Sequence, residues 1–389
     1  QSAGGAGKVT AEWMMNGEVS EDIFSLDITR FEKFHSETKF ITERVTETLG
    51  DLYAMHWPYK QHKTSRDQKK LPFHENLKNK GACFGQVAGF ERPMWYALNG
   101  SKPEYNYSYG YQNWYQSAQH ETINTRKHVG IFDLSAFAKF EIEGLNAFSD
   151  LQLLCSNDIK NIPGKTTYTQ MLNNKGGIEA DLTVTCINLN LFRIVTGSAV
   201  REHDKKHISK HLSKNTVIKD ITDDLVCFGI FGPKSRDLLT ELFGNQFLAK
   251  EFSFGTGKEI KFQELRLWFQ RLSYIGELGW EIYIPVLQSK RIYELITSLE
   301  KKYNLVHAGA HALDIMRMEK GYLHWGHDIS PAENPYEAGL EHSINIKKSE
   351  DFIGKKFLVS TNQKKRKKLT SFVLKNSKPG NPLLLHDEP

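Results

Sequence analysis

Cysteine is scarce in this chain of 389 residues: Cys83, Cys155, Cys186 and Cys227 lie far apart and form no CxxC pair. That spacing excludes a cysteine zinc site and a disulfide scaffold, and it favours a reducing compartment. No run of eighteen or more apolar residues is present, which excludes a membrane-spanning helix. No charged-then-apolar order opens the chain at Gln1-Ser2-Ala3-Gly4-Gly5-Ala6-Gly7-Lys8, so it does not open on a signal peptide. An initiator Met is also lacking there, and we expect a segment upstream. The glycine fingerprint of a dinucleotide site, GxGxxG, is missing, so this chain alone should hold no flavin. A strong charge of either sign is missing too. The net charge of +5 is diffuse except at Lys364-Lys365-Arg366-Lys367-Lys368. That run has no interleaved aromatics to stack on bases, so it reads as a solvated linker rather than a nucleic-acid site. A modest basic bias suits a small polyanionic ligand.

What is present is globular: 39% hydrophobic and 25% charged residues are the proportions of a packed soluble protein. The length exceeds one ordinary core and implies two or three domains. Ala11 to Gly17 reads as a helix stopped by its glycine, and Phe31 to Leu49 as a second. Between Tyr59 and Lys80 the chain turns polar and lysine-rich, the mark of a boundary or long surface connection. The aromatic stretch Tyr105 to Tyr115 is expected to pack over a core.

An internal repeat organises the rest. Phe140 to Gly144 alternates like a strand and leads into a helix, Ala147 to Leu154; Cys227 to Pro233 does the same before Arg236 to Phe243. Each unit continues through a strand pair, Asp181–Thr185 with Phe192–Val195 in one, Leu265–Leu272 with Glu281–Ile284 in the other. Each closes on an amphipathic helix, His203 to Leu212 and Ser289 to Tyr303. Two βαββα units in tandem predict an α+β domain with a pseudo-twofold and a ligand site where the halves meet.

Three stretches carry chemistry. Gly176-Gly177-Ile178-Glu179-Ala180-Asp181-Leu182 is a glycine turn that sets a carboxylate on the start of a strand. That is one way to place a general base, and equally a surface hairpin with a solvated Asp. In Ser273-Tyr274-Ile275-Gly276-Glu277-Leu278-Gly279-Trp280-Glu281 two glycines bracket a turn. Either Tyr274 and Glu281 converge on a pocket, where a carboxylate would accept the paired N–H groups of an aminopyrimidinone edge, or Glu277 merely caps the turn. Arg317 and Glu319 fall two apart on the helix His311 to Leu323 and so point to different partners. Arg317 is a ligand-orienting group or a plain surface arginine. His324, Trp325 and His327 have no acidic or cysteine companion at ligand spacing, so no metal site is expected.

Together these stretches, with Asn334-Pro335-Tyr336-Glu337-Ala338-Gly339-Leu340, resemble in order and spacing the motif series of the glycine-cleavage T-protein (aminomethyltransferase) superfamily. Three further features resemble the dimethylglycine and sarcosine dehydrogenase branch, in which a T-protein-like half follows a flavin half. They are Ala3 to Lys8 with Trp13, Gly89-Phe90-Glu91-Arg92-Pro93 with Trp95, and Val129 to Ser135 with Lys139-Phe140. The resemblance implies an α+β folate-binding fold over residues 69–345. Residues 1–68 would be the tail of an FAD-dependent oxidoreductase domain, and 346–389 the truncated start of a C-terminal β-barrel, opening at His386-Asp387-Glu388-Pro389.

The resemblance also implies a division of labour. An upstream half would hold FAD and oxidise an N-methyl amine of the dimethylglycine or sarcosine type, passing electrons to an acceptor the sequence does not identify. This half would capture the one-carbon unit on tetrahydrofolate. By matching positions, Asp181 would be the catalytic carboxylate, Thr183 would line its pocket, Tyr274 would pack on the pterin and Glu281 would grip its amino-pyrimidine edge. Arg317 and Trp325 would line the folate site. No nucleic-acid or membrane partner is implied, and the compartment would be the mitochondrial matrix in a eukaryote or the cytoplasm in a bacterium. Two relatives with the same layout leave alternatives: the non-catalytic regulatory subunit of pyruvate dehydrogenase phosphatase, and a stand-alone aminomethyltransferase.

Overall fold

The computed structural model describes residues 2–17, 19, 23–98, 100–361, 367–378 and 380–381. Thirteen strands run through these described residues. They are β1 (Ala82–Val87), β2 (Phe90–Tyr96), β3 (Val129–Asp133), β4 (Ala138–Gly144), β5 (Thr166–Leu172), β6 (Ile178–Asn188) and β7 (Leu191–Thr196), then β8 (Thr216–Asp220), β9 (Leu225–Phe231), β10 (Gly257–Phe262), β11 (Leu265–Gln270), β12 (Gly279–Pro285) and β13 (Leu305–Ala308). β1 and β2 form a hairpin, and the others form a five-stranded sheet, ordered β5-β6-β7-β4-β8, and a six-stranded sheet, ordered β10-β11-β12-β9-β3-β13.

The two orders are the same order, with β3 inserted between β9 and β13. The expected repeat is therefore real. It is longer than the sequence suggested, by β5 and β10 ahead of the hairpins and by β8 and β13 behind the last helices. The edge strand β10, Gly-Lys-Glu-Ile-Lys-Phe, hides its identity under charges that keep an exposed edge from pairing with another chain. The helices Ala147–Leu154, Ser235–Phe243 and Arg201–His211 fall within two residues of expectation. The helix expected over Ser289 to Tyr303 is interrupted after Thr297 and resumes at Glu300. That expected over His311 to Leu323 ends at Glu319.

Each sheet has an outer face covered by its own helices. Ala180, Leu182, Val184 and Cys186 of β6 enter one core with Leu151, Leu154 and Ile208. Trp280, Ile282 and Ile284 of β12 enter the other with Leu238, Leu239, Ile292 and Ile296. Burying each such aliphatic side chain stabilises the fold by about 1.5–3 kcal/mol. The period of two along a strand then sends Asp181, Thr183 and Thr185, and likewise Glu281 and Tyr283, to the opposite, inner faces. A third cluster, with Phe132, Leu134, Cys227, Tyr283 and Met316 at its heart and Phe137, Val195, Trp268 and Tyr274 against it, packs there.

The N-terminal helix spans Ala3–Asn16, starting well before Ala11, and stops at Gly17 in the left-handed region (φ 73°) as expected. None of its residues is buried. The second helix is shorter than expected, Thr38–Asp51, preceded by a separate turn at Lys33–Ser36. The polar connection after it is tied down by the Arg66–Glu91 ion pair. Trp114 stacks on His311 at 3.9 Å between ring centroids, so the aromatic stretch packs as expected. All four cysteines are buried and free. Among the described residues of 346–389 there is no strand: Phe352 and Leu358 pack with Leu172 and Ile178, and Lys367 and Lys368 are exposed. His386-Asp387-Glu388-Pro389 and Lys364-Lys365-Arg366 lie outside the described residues. No helix among the described residues is long and apolar enough to cross a membrane.

Candidate active site

The inner face of the five-stranded sheet is a grid of polar rows. One row pairs Gln170 with Asp181; the next runs Tyr168, Thr183, Val195, Lys139; the third runs Thr166, Thr185, Arg193, Glu141. On the facing sheet Gln270 pairs with Glu281, and Trp268 pairs with Tyr283. A hydrogen bond from Thr185 Oγ1 to Gln270 Oε1 (3.1 Å) ties the two faces together. The Arg193 guanidinium lies over the Trp268 and Tyr283 rings, 5.8 and 5.7 Å from their centroids. The halves of the repeat thus meet across a polar seam.

The glycine turn before β6 is required by its surroundings. Gly176 has φ 76°, and a Cβ on Gly177 would stand 2.0 Å from the Pro331 carbonyl oxygen. This turn sets the register that places Asp181 opposite Gln170. Gln170 Nε2 donates to Asp181 Oδ1 at 2.8 Å, and Ser343 Oγ donates to Gln170 Oε1 at 2.7 Å, which fixes the amide's orientation. Burial is the largest influence on Asp181 and drives its pKa up to about 6, against the hydrogen bonds from Gln170 and Tyr168. The buried carboxylate Asp204 adds to the rise. A carboxyl poised there changes hands with a proton near neutrality.

Glu281 is the second carboxylate of the seam. Tyr283 Oη donates to its Oε2 at 2.6 Å. Burial raises its pKa, while Tyr283 and Lys139 act to lower it. Its second oxygen is left for a donor from outside. Near it the seam holds donors with no acceptor: Arg193 Nε and Nη1 and Gln270 Nε2 are buried without a hydrogen-bond partner. Buried polar groups in this state are uncommon and call for a ligand or solvent.

Of the remaining expected site residues, Tyr274, Trp325 and Arg317 have their polar atoms already engaged. Tyr274 Oη donates to the Leu323 carbonyl at 2.9 Å, leaving its ring edge-on to Phe137 and beside a groove of about 290 Å³ lined by Phe254, Arg271, Ser273, Glu277 and Tyr322. The turn glycine Gly276 there has φ 71°. Trp325 Nε1 donates to the Ile178 carbonyl at 2.8 Å, pinning the segment after the last helix onto the start of β6. Arg317 is buried and spends its donors on Asp314, Asp328 and the Tyr322 carbonyl. Glu319 pairs with Arg126 instead, so the two helix residues do take different partners. Thr183 shares the Asp181 face as expected, across from Tyr168. His324 and His327 lie against each other with ring centroids 4.3 Å apart and planes tilted by 45°.

Sequence reasoning missed Tyr168, Gln170, Val195, Arg193, Gln270 and Tyr283. Tyr283 had a signal, since it stands two residues beyond Glu281 on the same strand face. The others are brought in by cross-strand register, which no single segment encodes.

The family model of the GCVT N-terminal domain matches residues 73–348, and that of the FAD dependent oxidoreductase central domain matches residues 16–70. The chain is 35% identical to 4-methylaminobutanoate oxidase (formaldehyde-forming) of Paenarthrobacter nicotinovorans over 99% of this chain and 47% of that protein. It is 31% identical to human mitochondrial dimethylglycine dehydrogenase over 92% of this chain and 41% of that protein. The chain therefore spans less than half the length of these relatives, both of them oxidoreductases by name. The solved structure of the glycine cleavage system aminomethyltransferase T from Bartonella henselae matches with a TM-score of 0.65 at 25% identity, covering 77% of this chain and 76% of that one.

Proposed function

Because the chain belongs to the GCVT N-terminal domain family, we propose that its polar seam binds tetrahydrofolate and receives a one-carbon unit released by oxidation of an N-methylated amine. The carrying observation is Asp181: a half-buried carboxylate whose desolvation lifts its pKa to about 6, held between Gln170 and Tyr168 on the inner face. The residues present fit the group. Glu281 offers an acceptor oxygen to an amino-pyrimidine edge, Gln270 Nε2 and Arg193 are donors without acceptors, and Tyr168, Trp268, Tyr274 and Tyr283 supply flat apolar walls.

Tetrahydrofolate, when bound, supplies the secondary amine that takes up the carbon. Asp181 would accept the proton that this amine sheds on bonding to the carbon of a methylene-iminium; a second folate amine would supply the other bond to that carbon, and the substrate nitrogen would depart as an amine carrying the two protons the folate amines lose. Gln170 keeps the carboxylate aimed, Glu281 fixes the far edge of the ring system, and Thr183 and Val195 form the floor between them. Arg317 and Trp325 act in this reading as supports, through Asp328 and the Ile178 carbonyl. FAD and the oxidation step are assigned to sequence upstream, and the divisions at 68/69 and 345/346 are part of the same proposal. Titration calorimetry of the 389-residue chain with tetrahydrofolate tests it: saturable binding lost in Glu281→Ala is expected, and absence of binding removes the proposal.

A further inference from the structure

The groove beside Tyr274 offers about 290 Å³, close to the lower end of the roughly 300–1,000 Å³ common for small-molecule sites. Tyr274 joins it to the seam. The Tyr274 ring meets Phe137 edge-on and Tyr322 nearly parallel, with centroids 6.5 Å apart in both contacts. Phe254 and Tyr322, both exposed, are the groove's aromatic walls. Gln270 and Arg271 are consecutive, so the period of two along β11 turns the first to the seam and the second away from it, to the groove.

The polar side of the groove is a set of donors short of acceptors. Arg271 donates through Nη1 to the Phe252 carbonyl, and its guanidinium lies 5.7 Å from the Trp280 ring centroid. Among the described residues no carboxylate pairs with it. The charge that bears on it is another cation, Arg236, whose guanidinium lies 5.7 Å from the same ring. Burial first, and Arg236 after it, lower the Arg271 pKa from its ordinary value. Ser273 Oγ is buried without a hydrogen-bond partner. Among the described residues, the backbone N–H groups from Ser273 to Leu278 meet no backbone acceptor. Gly276, at φ 71°, sits within this run, and a turn of unpaired N–H groups is a concavity suited to an anion. The acid of the groove, Glu277, is flanked by Lys320 at 3.9 Å and Arg126 at 4.0 Å. The Arg271 charge is therefore left without a counter-charge, and a ligand carboxylate supplies it.

We propose that this groove holds the benzoyl-glutamate arm of tetrahydrofolate, its aryl ring against Tyr322 and Phe254 and a carboxylate on Arg271 and the Ser273 hydroxyl. The proposal rests on the folate reading of the seam and extends it: Tyr274 belongs to both spaces, so a pterin packed on its ring leaves the arm directed into the groove. Arg271 is then a specificity-determining residue, because a pteridine without a charged arm forgoes its contact.

The test titrates three ligands into the 389-residue chain by calorimetry. They are tetrahydrofolate, methyltetrahydropterin, which has the ring system without the arm, and para-aminobenzoylglutamate, which has the arm without the ring system. Tetrahydrofolate should bind on the order of tenfold more tightly than methyltetrahydropterin, the usual worth of one charge-assisted contact, and added salt should narrow the gap. Arg271→Gln should lose that preference and Arg271→Lys should keep part of it, while methyltetrahydropterin binds both variants as before and so reports that they are folded. Should Arg271→Gln fail to fold, Ser273→Ala takes its place and should show a smaller preference. Equal affinity for the two pteridines in the unmodified chain overturns the proposal and leaves the seam reading standing. So does an undiminished preference in the variant. If neither pteridine binds, the one-carbon reading falls, and para-aminobenzoylglutamate decides the groove: binding abolished in Arg271→Gln supports it, and no binding overturns it.

Discussion

Gln170 and Asp181 face each other across the β5–β6 pair, and the amide of the first donates to the carboxylate of the second at 2.8 Å. The bond opposes the effect of burial, so it sets how far the Asp181 pKa climbs. Gln170→Leu should therefore raise that pKa above its present value of about 6. In the longer enzyme the pH profile of one-carbon capture should rise through about 6, because the proton acceptor must be ionised, and move to higher pH in the variant. The stability sign is the opposite. A carboxyl whose folded pKa lies above its ordinary value stabilises the fold most at low pH and loses that contribution as pH rises through about 6. A capture profile unmoved by Gln170→Leu would detach Gln170 from this role.

Asp181→Asn keeps the shape and the bond to an amide partner but removes the proton acceptor. In the full-length enzyme, amine oxidation followed with an artificial electron acceptor should continue near its normal rate. Methylene-tetrahydrofolate should fall by about 10²–10⁴-fold, the range of a positioned general base, with free formaldehyde appearing in its place. A normal product ratio from a folded variant rules out the mechanism.

Glu281→Ala should weaken tetrahydrofolate binding by about 1–3 kcal/mol, since donors in the ligand lose their buried acceptor. Tyr283→Phe should cost less, because Glu281 keeps its charge and loses only the 2.6 Å bond that orients it. Calorimetry on the two variants should rank them in that order.

Arg317→Ala should act on stability rather than on folate contacts. Its guanidinium joins Asp314, Asp328 and the Tyr322 carbonyl, and its loss should cost about 1.5–3 kcal/mol, lowering the midpoint of urea unfolding. A loss of folate affinity with no change in that midpoint would instead place Arg317 against the ligand.

His203 sits between Asp204 (2.9 Å) and Glu179 (3.6 Å). Burial alone would lower its pKa, but these carboxylates raise it to about 10. Its raised folded value means the contribution is complete below about 6.5 and is lost as pH climbs through about 10. Unfolding measured between those limits should show declining stability, and His203→Gln should flatten the decline.

The sequence by itself determined the repeat, the two glycine turns and the candidate carboxylates, because these are local. Period-two alternation marks β6 and β12 wherever they are placed, Gly176 and Gly276 sit at φ 76° and 71° where a side chain is strained, and Asp181 and Thr183 share a face by chain geometry alone. It could not see β5 or β10, whose polar content suits a strand only once a neighbour pairs with it. Tertiary structure decided what each charged group does. Arg317 and Trp325 are expected in the folate site by resemblance, yet their donors go to Asp328 and the Ile178 carbonyl. Arg92, 41 positions from Asp133 by residue number, shares a cleft with it only because the β1–β2 hairpin folds against β13 and the helix Ala310–Glu319. Desolvation, which moves Asp181 to about 6, is a property of the closed seam between two sheets, and no segment of the chain carries it alone.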